Sequence, residues 1–244
     1  MDFSFNAKAF RTLLHSAVAD HIEALTAETD AEESAEQLLA GMEKAVDVME
    51  RADADAAVKQ GGAVLSDAEI TEIGDFALGL LEAIVDRVEK ASGHQNRDLT
   101  RLAIPISLWI ARHGGHINRL ELVVNSLAAW ANELQDTIQI AELARVIREI
   151  IDATSDEIRQ DLEQTNPMRP WRIINLNYGI VATRSHDPVL MDEAFEVLVK
   201  HLPNDARAFF REGMQQMDIV GYPDEVRAVV EKYDRMWGSG DTLH

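Results

Sequence analysis

Two glycines constrain the fold of this chain more than any other feature. Gly179 and Gly213 lie 34 residues apart, and each sits in an apolar segment that is followed by a breaker and a second apolar segment. Because glycine has no Cβ, a neighbouring helix can approach its backbone closely. The spacing therefore predicts two helix–turn–helix units laid side by side. The four predicted helices span residues 169–184, 189–202, 205–218 and 223–236.

The junction between the two units has a recognisable pattern. The run 202–210, Leu-Pro-Asn-Asp-Ala-Arg-Ala-Phe-Phe, is similar to the junction of the tetratricopeptide repeat, a 34-residue helix pair. Gly179 and Gly213 match the small residue at which the first helix of a pair packs against the second. Phe195 matches the large residue of the second helix, and Pro203 matches the junction proline. The resemblance covers about 70 of the 244 residues, and the second turn is two residues shorter than the first.

The resemblance implies a function as well as a fold. In this family the first helix of each pair lines a concave groove that holds a peptide. The groove candidates carried over are Ile173, Leu176, Asn177 and Ile180 in one unit and Arg207, Phe210, Arg211, Met214 and Met217 in the next. The alternative is that another helix of the same chain fills the groove. The basic and asparagine residues with which some members of the family clamp a carboxylate terminus are largely absent, and Asn177 and Arg211 are the only candidates.

A second patch precedes and overlaps the first of these helices. Arg169, Trp171, Arg172 and Tyr178 combine arginine with aromatic rings, a common composition for an interaction surface. The alternative is that Trp171 and Tyr178 belong to the core. The arginines would then pair with carboxylates, for which the candidates are Asp156, Asp161 and Glu163.

The rest of the chain shows helical periodicity and no sustained strand alternation. Further helices are predicted over residues 7–28, 67–91, 98–112, 117–134, 136–152 and 155–164, with another after Thr29–Glu33 that ends before Gly61. We therefore expect an all-α fold, a stack of antiparallel helix pairs that forms an α-solenoid and is tetratricopeptide-like in its C-terminal part. Within the predicted helix 98–112, Pro105 should mark a kink or a late start.

The six prolines all follow Ile104, whereas the first hundred residues are rich in alanine and glutamate. This change in composition predicts an acidic N-terminal helical region over 1–95 and a C-terminal helical-repeat region over 96–244, unless the two form one continuous domain.

Charge and composition exclude several classes of partner. The net charge of −20 opposes binding to nucleic acid, which depends on neutralising phosphates. No apolar run reaches the roughly 18–20 residues that span a bilayer, so we expect a cytoplasmic protein that binds no membrane. The acidic surface suits either plain solubility or a basic partner. Without cysteine the chain has no disulfide, thiolate metal site or cysteine nucleophile.

The histidines do not form a complete catalytic or metal-binding pattern. His113 and His116 flank two glycines, which a turn between helices explains without a metal. His186-Asp187 resembles a dipeptide of helical metal-dependent phosphohydrolases, but Asp187 before Pro188 is also a good helix cap. We therefore expect no catalytic residues, no metal and no cofactor. The expected function is binding of a protein or peptide partner, with self-association as a homodimer or a helical metal-dependent hydrolase as the alternatives.

Overall fold

The computed structural model describes residues 3–19, 21, 34–57 and 65–238. Over these residues the protein is all-α, as predicted, and its one β feature there is a single bridge between Ile117 and Thr154. The helices are α1 (Ala7–Ala19), α2 (Ala35–Ala57), α3 (Asp67–Ser92), α4 (Arg97–Arg101), α5 (Ala103–Arg112), α6 (Glu121–Glu133), α7 (Thr137–Ala153), α8 (Asp156–Arg159), α9 (Pro170–Arg184), α10 (Pro188–His201), α11 (Pro203–Val220) and α12 (Asp224–Gly238).

The chain divides into two compact units. The N-terminal unit contains the chain up to Trp130 together with Asp152–Ile158, and the C-terminal unit contains Ala131–Ile151 together with the chain from Arg159 onward. The change in composition near residues 95–104 therefore lies inside the N-terminal unit.

In the N-terminal unit, α3 packs against α2 and α5, and α1 packs against α2 and α4. A capping box starts α3: the Glu69 backbone N–H donates to the Ser66 hydroxyl, and the Ser66 backbone N–H donates to the Glu69 carboxylate. Gly93 ends α3 in the left-handed conformation, with φ of 75°. The N-cap and the C-cap fix this helix at both ends.

The long apolar helix expected over 98–112 is two helices in the structure. The chain breaks at Leu102, and Pro105 lies in the first turn of α5, where its missing N–H costs no hydrogen bond. The late start is confirmed. The side chains of α5 are buried around almost its whole circumference, as its composition predicted.

In the C-terminal unit, α9 pairs with α10 and α11 pairs with α12, which confirms the four predicted helices. A Cβ added at Gly179 would lie 3.2 Å from Leu198 Cδ1 of α10, and one added at Gly213 would lie 3.2 Å from Val230 Cγ1 of α12. Each glycine is therefore a point of close packing between the two helices of its pair, as the spacing predicted.

The prediction of a helix through residue 164 is wrong. The helix α8 ends at Arg159, and Asp161 has a φ of 50°, which an α-helix cannot contain. The predicted helix 117–134 likewise starts late, because Ile117 pairs its backbone with Ala153 and Ser155 instead. The predicted cap at Thr29–Glu33, Gly61, and residues 22–28 of the first predicted helix lie outside the described residues.

Candidate partner-binding surface

Two contacts place α11 beside α9. The Arg172 guanidinium of α9 binds the Asp205 carboxylate of α11 at 2.7 Å. Two turns further along α9 and one turn further along α11, the tip of the Phe209 ring lies 2.6 Å from where a Cβ on Gly179 would be. Asp205 and Phe209 are four residues apart and so share one stripe of α11. That stripe faces α9.

The solvent side of α9 carries a row of apolar side chains. Ile173 and Leu176 are half-buried, and Ile180 is 47% exposed. Asn177 lies between them on the same face and is also half-buried. The spacing of three and four residues puts all four on one side of the helix. The α9 half of the groove candidates is therefore accessible.

The α11 half is different, because two of its candidates are in the core. Phe210 is 0% exposed and Met217 is 3% exposed. Phe195 of α10 meets the Phe210 ring edge-on at 5.0 Å, and Tyr233 of α12 stacks on it at 5.2 Å. Phe210 and Met217 therefore cannot line an accessible groove, because they pack in the core and hold α11 against its neighbours.

The remaining α11 candidates lie on the flank away from α9. Arg207 and Arg211 each follow a residue of the α9-facing stripe by two positions, which is about 200° around the helix. Met214 shares their stripe and is half-buried. Both arginines are exposed, and neither has an ion-pair partner within the described parts of the chain. Arg211 therefore lies on the side of α11 that faces away from α9, the helix of Asn177.

Helical spacing puts two other residues of α11 close to the stripe that faces α9. Ala208 and Glu212 follow Asp205 and Phe209 by three positions, and both are exposed. Together with Ile173, Leu176 and Ile180 they form what we call the α9–α11 surface. The sequence could have identified these residues through Asp205. Its carboxylate can pair with an arginine, and such a pair would mark the stripe of α11 that faces α9.

The second predicted patch consists of two core aromatic residues and two arginines that pair with carboxylates. Trp171 is 3% exposed and Tyr178 is 0% exposed, which confirms the alternative that they are core residues. Arg169 is buried and binds Asp161 through two hydrogen bonds, which raise the pKa of Arg169 above its ordinary value. Arg172 pairs with Asp205 rather than with any of the three predicted carboxylates. None of these rings is available to stack on a ligand.

The histidines singled out by sequence have structural contacts. His113 Nδ1 lies 2.9 Å from the Trp109 carbonyl oxygen, and its Nε2 lies 3.1 Å from a carboxylate oxygen of Asp53. Burial raises the pKa of Asp53, which also accepts a hydrogen bond from Trp109 Nε1. His186 packs edge-on against Tyr222. Asp187 caps α10 through the backbone N–H groups of Val189 and Leu190.

Among the residues the structure covers, no group of three histidine, aspartate or glutamate side chains is arranged to hold a metal ion. Over the same residues, no helix has the length and apolar character needed to cross a membrane. Comparisons with protein-family models, curated proteins and solved structures yielded no match to this chain.

Proposed function

We propose that the protein is a non-catalytic interaction module that binds a peptide segment of a partner protein on the α9–α11 surface, as a tetratricopeptide-like pair of helix hairpins. The observation that carries the proposal is the row of Ile173, Leu176 and Ile180, which remains accessible on a face that α9 turns to solvent. Apolar side chains at this spacing suit the apolar anchors of a bound peptide.

The charges around the row specify the partner further. Glu212 is exposed and has no ion-pair partner in the described part of the chain, and the protein as a whole carries a net charge of −20. A positively charged segment is drawn to such a surface, and an acidic one is repelled. The fitting partner is therefore a peptide with apolar anchors flanked by lysine or arginine.

Selection from a displayed library of random peptides tests the proposal. We expect wild-type protein to enrich peptides that combine apolar and basic residues. Their affinity should fall at least tenfold when Ile180→Glu puts a charge into the row, since about 1.4 kcal/mol of lost binding is a factor of ten. The matched control is Val189→Glu, at a position of the same unit that is 68% exposed and lies on α10. It should bind as the wild type does.

Three results would contradict the proposal: no enrichment, enrichment of acidic peptides, or equal loss of binding in both variants. Light scattering addresses the alternative of self-association. If the mass rises with concentration in wild type and not in Ile180→Glu, the row is a contact between two copies of the chain, and the peptide-binding proposal is wrong.

A further inference from the structure

The N-terminal unit contains an open pocket of about 240 Å³ that the interaction surface does not involve. Its walls come from the segment before α1, from α1, α4 and α5, and from Trp130 of α6. The larger apolar side chains of the lining are Phe3, Phe10, Leu13, Leu102, Pro105 and Trp130. Phe3 meets the Trp130 ring edge-on, with 5.1 Å between centroids. Two aromatic rings in contact thus form one wall of a concave, mostly apolar site.

The polar groups of this pocket divide into two kinds. Ser4 accepts a hydrogen bond from Arg112, and Asn6 accepts one from the backbone N–H of Ala9, so both serve the fold. Asp98 and Arg101 form a pair of opposite charges at the apolar wall, 3.5 Å apart. The Arg101 guanidinium also lies over the Trp130 ring, 5.0 Å from its centroid.

This pair of charges selects for a ligand that also carries both signs. A simple anion would meet Asp98 and a simple cation would meet Arg101, and in each case the like charge opposes binding. A zwitterion can place a carboxylate at Arg101 and an ammonium group at Asp98 at the same time. It also has no net charge for the field of a −20 protein to repel.

The volume limits the size of the ligand. At about 240 Å³ the pocket lies between the 150 Å³ cavity known to hold benzene in another protein and the roughly 300 Å³ at which pockets for drug-sized ligands begin. We propose that the pocket binds a free α-amino acid with an aromatic or branched apolar side chain. The side chain lies against Phe10, Leu13 and Trp130, the carboxylate meets Arg101 and the ammonium group meets Asp98.

Isothermal titration calorimetry of the full chain tests this proposal with L-phenylalanine and L-leucine. For about a dozen non-hydrogen atoms, we expect a Kd on the order of 0.1–1 mM for at least one of them. L-phenylalanine amide lacks the carboxylate, N-acetyl-L-phenylalanine lacks the ammonium group and glycine lacks the side chain. Each should bind at least tenfold more weakly.

A variant separates the ammonium contact from the rest of the pocket. Asp98→Asn should weaken the binding of L-phenylalanine at least tenfold. It should leave the weak binding of N-acetyl-L-phenylalanine undiminished. Asp98 is 60% exposed, so the change costs little burial, and circular dichroism checks that the fold is kept. The matched control is Asp86→Asn, also 60% exposed and paired with Lys90 on α3, which should bind L-phenylalanine as wild type does.

Either of two results on the unaltered protein overturns the proposal. One is the absence of binding by both amino acids at about 10 mM, well above the expected Kd. The other is equal affinity for L-phenylalanine and its amide or N-acetyl derivative. Equal affinity would mean that the pocket binds an apolar side chain without recognising the two charged groups of the amino acid. Because this pocket and the α9–α11 surface lie in different units, failure of one proposal leaves the other standing.

Discussion

Replacing Gly179 with alanine tests how closely α9 and α11 are packed. The new Cβ would lie 2.6 Å from Phe209 Cζ and 3.2 Å from Leu198 Cδ1. Ordinary carbon contacts begin near 3.5 Å, so the Phe209 ring must move by about 1 Å. That ring is held edge-on by Phe195 at 5.9 Å and by Phe210 at 5.3 Å. Its displacement therefore disturbs the aromatic cluster that joins three helices.

The magnitude follows from two opposing terms. Overpacking of this kind costs about 1–3 kcal/mol, and alanine is favoured over glycine in a helix by about 1 kcal/mol. We therefore expect Gly179→Ala to lower the free energy of unfolding by about 1 kcal/mol. Gly213→Ala is the matched control, because its Cβ would meet one atom within 4 Å, Val230 Cγ1 at 3.2 Å. There the helix-propensity gain of up to about 1 kcal/mol should be largely kept.

Urea denaturation measures the free energy of unfolding of both variants. Hydrogen exchange detected by mass spectrometry then reports on the C-terminal unit separately. A second change, Phe209→Leu, removes the ring tip, so adding Gly179→Ala to it should cost nothing or stabilise the protein. The two changes should therefore be coupled by about 1 kcal/mol or more. If Gly179→Ala were as stable as Gly213→Ala, or if its effect added independently to that of Phe209→Leu, the close packing of α9 on α11 would be refuted.

Two further predictions concern ionisable groups of the C-terminal unit. Asp161→Asn keeps a residue that tolerates positive φ but removes the charge opposite the buried Arg169. It should lower the free energy of unfolding by about 3 kcal/mol in urea denaturation. A loss below about 1 kcal/mol would contradict this prediction. Burial raises the pKa of Tyr233 above the ordinary value of 10.0, so the folded state keeps the phenol neutral while the unfolded state ionises. Stability should therefore fall as pH rises above 10, and Tyr233→Phe should flatten this slope between about pH 9 and 11. An equal slope in both proteins would contradict that assignment.

Helix positions could be predicted from the sequence because their signals are local. The cap at Asp187 with Pro188, and the capping box at Ser66, act within one turn and place helix starts to within a residue or two. The end of α8 could not be predicted this way. Asp161 leaves the helical conformation where its carboxylate binds Arg169, eight residues further on and beyond the reach of a periodic pattern.

The candidate partner-binding surface shows why a repeat pattern predicts a helix better than it predicts the face of that helix. The pattern assigned Arg207 and Arg211 to the groove together with Phe210, Met214 and Met217. The tertiary pair between Arg172 and Asp205 joins residues 33 positions apart and turns α11 by about half a turn from that assignment. Helical spacing then puts the exposed Glu212, rather than the arginines, close to the α9-facing stripe. This exposed carboxylate agrees with the basic partner that the net charge of −20 already suggested, which is why peptide selection should return basic segments rather than acidic ones.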